Sequence, residues 1–187
     1  MMEIMGDRVP SIEECYELME KHSMLPNIVN HSKQVMWVSL AIVDNLTSSV
    51  AVNRERVVAA ALLHDITKTR SLSTRERHDV SGAELLRDLG FTCIAKIVEQ
   101  HVNLRKLDLQ GRLEEHEIVY YADKRVMHDK IVTVEERIHD LIQRYGATKE
   151  IRNWISQSQN TILIVENKIA SFMATDINFT IEKIATG

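Results

Sequence analysis

The sequence predicts an all-α protein, a compact single-domain helical bundle, on three observations. Apolar residues recur at helical spacing along most of the chain. Two prolines and six glycines in 187 residues favour long helices over turn-rich β structure. No stretch shows a convincing strand alternation, and LIVE and NFTI near the C-terminus are too short to count as a sheet.

Each element has its own signal. Ser11 and Glu14 have capping-box spacing and open a helix over 12–21. Pro26 suits the first turn of a second helix, 27–46, with Val35, Val38 and Ile42 on its inward stripe. A third covers 53–64, and the polar stretch TKTRSLSTRER then reads as a loop. A fourth covers 79–89 and ends at Gly90, and a fifth covers 92–102. NLRKLDLQGR is a surface connection, followed by a sixth helix over 114–128. Thr133 and Glu136 form another capping box, opening a seventh that stops at Gly146. The last long helix covers 149–173, and a short polar tail follows. Along it, Trp154, Ile162, Ile164, Phe172 and Met173 suit core packing or a homodimer face.

Hydrophobic content of 44% and charged content of 27% are those of an ordinary globular protein. A net charge of −4 argues against nucleic acid or an anionic membrane as a stable partner. The longest apolar run, VVAAALL, falls far short of the roughly 20 residues that span a bilayer. MMEIMGDRVP lacks the basic-then-apolar pattern of a signal peptide, so the expected location is the cytoplasm. Cys15 and Cys93 have no zinc-ligand spacing and read as buried free thiols of a reducing compartment.

The most informative residues close an apolar run, in VVAAALLHDITK. Taking His64 and Asp65 out of water costs several kcal/mol unless a partner compensates. A divalent ion binds neutral imidazole and carboxylate together. Other helices supply matching donors in slots where a core aliphatic belongs. His31 shares the stripe of Val35, Val38 and Ile42; His101 follows Ile94, Ile97 and Val98; Asp123 follows Val119 and Ala122. His22, His116, His128 and His139 fall outside this pattern and read as surface residues.

The order His31, His64-Asp65, Asp123 resembles the HD-domain superfamily of metal-dependent phosphohydrolases, which are all-helical. NHSKQV, ALLHDITK and VYYADKRV carry the likeness over residues 26–145, leaving 147–175 as a C-terminal helical extension of one HD-type domain, 1–187. His78, in HDVSGAELL, and His101 resemble the second-metal histidines of some members. The resemblance implies one or two divalent ions (Mn, Fe, Co, Ni or Mg). His31, His64, Asp65 and Asp123 would hold the first, and Asp65, His78 and His101 the second.

It also implies a mechanism, in which the ions lower the pKa of a water to give hydroxide for in-line attack on phosphorus. Asp65 would bridge the ions and orient the nucleophile. Lys68 would lie one turn on if the helix continues and would neutralise phosphate charge. Lys68, Arg70, Arg75 and Arg77 form a basic segment, and Lys68, Arg75 and Arg77 are the expected phosphate-binding side chains. Lys124 and Arg125 follow Asp123 but point away from its direction on a helix.

Lys68 stands where members similar to deoxynucleoside 5′-monophosphatases carry glutamate. The acidic pair of (p)ppGpp hydrolases and the glycine-tyrosine-proline signature of cyclic-di-GMP phosphodiesterases are absent. The HDxxK doublet, HxxxGA segment, later His and Y-x-A-D are similar to small bacterial HD hydrolases of dinucleoside tetraphosphates, although KRVMHDK after the last Asp departs from them. The implied partner is a small phosphorylated, nucleotide-like molecule. A di-iron HD-type oxygenase and a non-catalytic HD signalling module share the ligand pattern or the fold.

Overall fold

The computed structural model describes residues 7–105 and 107–185. Residues 1–6, most of the segment read for a signal peptide, and Lys106 of the surface connection lie outside them.

The described residues are mainly helical, as expected. It runs α1 (Ile12–Lys21), α2 (Pro26–Val43), α3 (Arg54–Leu63), α4 (Lys68–Thr74), α5 (His78–Asp88), α6 (Thr92–Val98) and α7 (Glu115–Lys124). A hairpin of β1 (Val126–Met127) and β2 (Lys130–Ile131) follows, then α8 (Val134–Tyr145), α9 (Lys149–Ser171) and α10 (Ile177–Ala185). Both expected capping boxes are formed: Ser11 and Thr133 accept from the backbone of Glu14 and Glu136, whose carboxylates return the bond. Gly90 follows α5 with φ 84°, a left-handed position that glycine occupies without strain.

α3 is the central helix. Every residue from Val57 to Thr67 is buried, so beyond its first turn it has no solvent face, and α1, α2, α6 and α7 surround it. α5 packs on α6, α8 on α9, and α10 returns to α2. Cys15 and Cys93 are free and buried. No helix of the described residues is long and apolar enough to cross a membrane.

Four expectations are corrected. The polar stretch after the doublet forms α4, because Lys68–Thr74 is helix-competent and the Ser71, Ser73 and Thr74 hydroxyls bond back to Lys68 and Arg70 carbonyls. α6 stops at Val98, so His101 lies in the turn after it. α7 stops at Lys124, where the chain turns into the hairpin; Val126 faces Ile131, and His128 takes φ 57° at the tip. The polar tail is helical as α10: Asp176 caps the Phe179 amide at 2.8 Å, and Ile177 and Ile181, four apart, are buried.

Candidate metal centre

The doublet sits where α3 ends. His64 is its C-cap, and residues 64–67 form a tight turn in which the Lys68 amide donates to the Asp65 carbonyl at 2.9 Å. Both side chains are wholly inside the protein. The Thr67 hydroxyl donates to the His78 carbonyl at 3.0 Å and meets the Ser81 hydroxyl at 2.9 Å, fastening the start of α5 to this turn. A Cβ on Gly82 would lie 3.4 Å from the same Thr67 oxygen, so α5 approaches the turn closely.

His31 from α2, Asp123 from the last turn of α7, His78 at the start of α5 and His101 after α6 converge on the doublet. His31 Nε2 is 2.9 Å from Asp123 Oδ1; His64 Nε2 is 3.4 Å from Asp65 Oδ2 and 3.6 Å from Asp123 Oδ1. Across Asp65, its Oδ1 is 3.2 Å from His78 Nε2 and 3.5 Å from His101 Nε2. Two overlapping groups result, His31–His64–Asp65 and Asp65–His78–His101, each compact enough to hold an ion, with Asp65 in both.

The imidazoles are oriented for the task. Nδ1 of His64, His101 and His31 faces the carbonyls of Ala61, Val98 and His128 at 2.8, 2.7 and 2.9 Å. A ring whose Nδ1–H donates to a carbonyl keeps its Nε2 lone pair for a cation. His64 Nε2 and Asp65 Oδ1 are buried without a hydrogen-bond partner. Such orphaned atoms are costly in a protein interior, and a cation bound at each of the two donor groups relieves the cost. The donor set thus fits a divalent ion, and its imidazole content favours a first-row transition metal over magnesium, which takes oxygen ligands.

Burial alone would drive the Asp65 and Asp123 carboxyls up, yet their neighbours hold both well below the usual carboxylate range: the charges of His64 and Lys68 for Asp65, and the charge of Lys124 with a hydrogen bond from His31 for Asp123. Burial likewise opposes charge on His64, but Asp65 and Asp123 outweigh it and raise its pKa to about 10. Burial lowers His101 to about 4 against the pull of Asp65, so this ring stays neutral.

α3 does not continue to Lys68. The side chain still reaches Asp65 Oδ2, at 2.8 Å, from the start of α4. A cavity of about 620 Å³ opens on Lys68, His78, His101 and Asp123. Arg75 and Arg77 do not line it. Arg75 is exposed at the left-handed end of α4, and Arg77 is paired with Asp79 at 2.6 Å. Besides Lys68, the cations that line it are Lys124, Arg137 and Arg144.

Lys124 corrects the sequence reading, for its Nζ bends back to Asp123 Oδ2 at 2.6 Å and the His101 carbonyl at 2.8 Å; Arg125 turns away, donating to the Val132 carbonyl and the Tyr121 hydroxyl. Arg137 was legible by the rule that found the ligands, since it occupies an inward slot beside Val134 and Ile138. No sequence signal marks the His128 carbonyl behind His31. Of the four remaining histidines, His128 and His139 are exposed, while His22 and His116 are half-buried with an unpartnered Nε2 each.

Comparisons with known proteins agree with this geometry. A model of the HD domain matches residues 28–128. The chain is 31% identical over 137 residues to an uncharacterized protein of Methanocaldococcus jannaschii, covering 64% of this chain and 78% of that one. It is 26% identical over 141 residues to a tRNA (cytidine(56)-2'-O)-methyltransferase of Picrophilus torridus and 32% identical over 95 residues to that of Thermoplasma volcanium. Those matches cover 68% and 50% of this chain but only 40% and 26% of the methyltransferases. A predicted HD superfamily hydrolase from an uncultured Thermotogales bacterium shares the fold, with TM-score 0.51 and 20% identity, over 85% of this chain and 90% of that structure. The chain belongs to the HD-domain family.

Proposed function

We propose that this chain is a metal-dependent phosphohydrolase acting on a small phosphoester or phosphoanhydride of nucleotide-like character, with two divalent ions sharing Asp65. The observation that carries the reading is the pair of donor groups meeting at Asp65, beside a cavity whose charged wall is cationic. Ions held there supply Lewis acidity and lower the pKa of water, which suits attack on phosphorus. The protein's own groups do the rest. His64 and His101 are locked in orientation by backbone carbonyls, and His31 by that of His128. Lys68 and Lys124 brace the two ligand carboxylates and bring positive charge to the cavity wall, where a phosphoryl oxygen gains from it. Four cationic side chains along the cavity, set against the three carboxylates they pair with, favour an anionic substrate over a neutral one.

The test is a panel of phosphomonoesters, phosphodiesters and dinucleoside polyphosphates with Mn²⁺, Co²⁺, Fe²⁺ or Mg²⁺ added separately, with oxygen uptake followed in parallel. Hydrolysis that Asp65→Ala lowers by about 100-fold or more is the expected result. Loaded protein that hydrolyses nothing on the panel, or consumes oxygen instead, contradicts it.

A further inference from the structure

The cavity has a second wall that the metal ligands do not explain. α9 presents Ile151, Trp154, Ser158 and Thr161 to it, at i, i+3, i+7 and i+10, a single helical face. Tyr145 from the end of α8 adds a second ring. Trp154 and Tyr145 are 55% and 52% exposed, so two large aromatic side chains stand open to solvent at the cavity.

Arg137, nine-tenths buried, also lines the cavity. It donates from Nη1 to Asp140 at 3.0 Å and leaves Nε without a partner among the described residues. A buried donor lacking an acceptor is destabilising, and a ligand oxygen satisfies it. The cavity therefore offers a donor for an anion and an exposed aromatic face for a flat apolar ring. A volume of about 620 Å³ lies within the roughly 300–1,000 Å³ of pockets that bury a drug-sized ligand. Both walls belong to α8 and α9, outside the matched 28–128.

We infer that α8 and α9 select the substrate: Trp154 stacks on the ring of a nucleoside monophosphate-like ligand, and Arg137 binds one of its anionic oxygens. Placing the phosphate end toward the metal ligands rests on the phosphohydrolase reading; the ring site rests on the cavity alone. Stacking of one base contributes about a 5- to 150-fold gain in affinity.

Trp37 is the other tryptophan and does not line the cavity, so Trp37→Phe makes Trp154 the sole reporter. This protein, with Mn²⁺, is titrated with adenosine 5′-monophosphate and with ribose 5-phosphate, following Trp154 emission and calorimetric Kd. The nucleotide should quench Trp154 and bind more tightly than the sugar phosphate. Trp154→Ala should weaken the nucleotide about 5- to 150-fold and leave the sugar phosphate unchanged, while Arg137→Gln and the milder Arg137→Lys should weaken both. Equal affinity for the two ligands, binding of neither, or an unchanged ratio in Trp154→Ala overturns the inference. Ring-selective binding without turnover leaves it standing and overturns the phosphohydrolase reading instead.

Discussion

With its pKa raised to about 10, His64 carries a second ring proton in the metal-free protein, at the nitrogen that lies between Asp65 and Asp123. A cation bound there displaces that proton, so metal affinity should rise with pH across neutrality, about tenfold per unit while one proton is released. Calorimetry in buffers of different ionisation enthalpy reads the proton directly; a pH-independent Kd contradicts the assignment. The same groups set the stability of the metal-free chain. His64 is raised on folding, so its contribution is complete below about 6.5 and fades as pH climbs toward 10. Asp65 and Asp123 are lowered, so theirs is complete above about 3.9 and lost as pH falls. His101 is lowered to about 4, so its contribution is complete above about 6.5 and fades as pH falls toward 4. Chelator-treated protein should therefore show its highest Tm near pH 6.5, declining on both sides.

At the scale of elements, α9 is pinned to the helix that carries Asp123. Lys168 of α9 lies buried against Glu117 of α7, with Nζ 2.7 and 2.9 Å from the carboxylate and 3.0 Å from the Arg112 carbonyl. This pair joins the helix bearing Asp123 to the helix bearing Trp154. Lys168→Met strands a buried carboxylate and should cost about 3–5 kcal/mol by chemical denaturation; a loss under 1 kcal/mol would show that the pair does not hold α9.

The helices with an amphipathic stripe or a cap were legible from sequence: Ser11, Thr133, Gly90 and the Val35–Ile42 stripe place α1, α8, the end of α5 and α2. What escaped has a common cause. α4 is seven residues long with Leu72 as its one apolar residue, α10 is a nine-residue helix too short to show a sustained stripe, and a hairpin of two-residue strands has no alternation to detect. The six donors that converge on the doublet were legible because each is a polar type in an apolar slot or in a family motif. Arg75 and Arg77 were misplaced because local basicity says nothing about direction. α4 leaves Arg75 exposed at its end, and Asp79 takes the guanidinium of Arg77.

On the scale of the whole molecule, the chain divides its labour. α2, α3, α5, α6 and α7 bring the six donors to one point, inside or adjoining the family segment, while α8 and α9 add a wall that the family pattern does not cover. The central claim is that Asp65 joins two ion sites, and counting ions tests it most directly. Chelator-stripped protein is titrated anaerobically with Mn²⁺ or Fe²⁺ and the bound metal is measured per chain. The account predicts two ions for the wild type, one for His78→Ala or His101→Ala, and loss of tight binding at both sites for Asp65→Ala. A wild type that binds no ion, or a stoichiometry unmoved by His78→Ala, His101→Ala and Asp65→Ala, would contradict it.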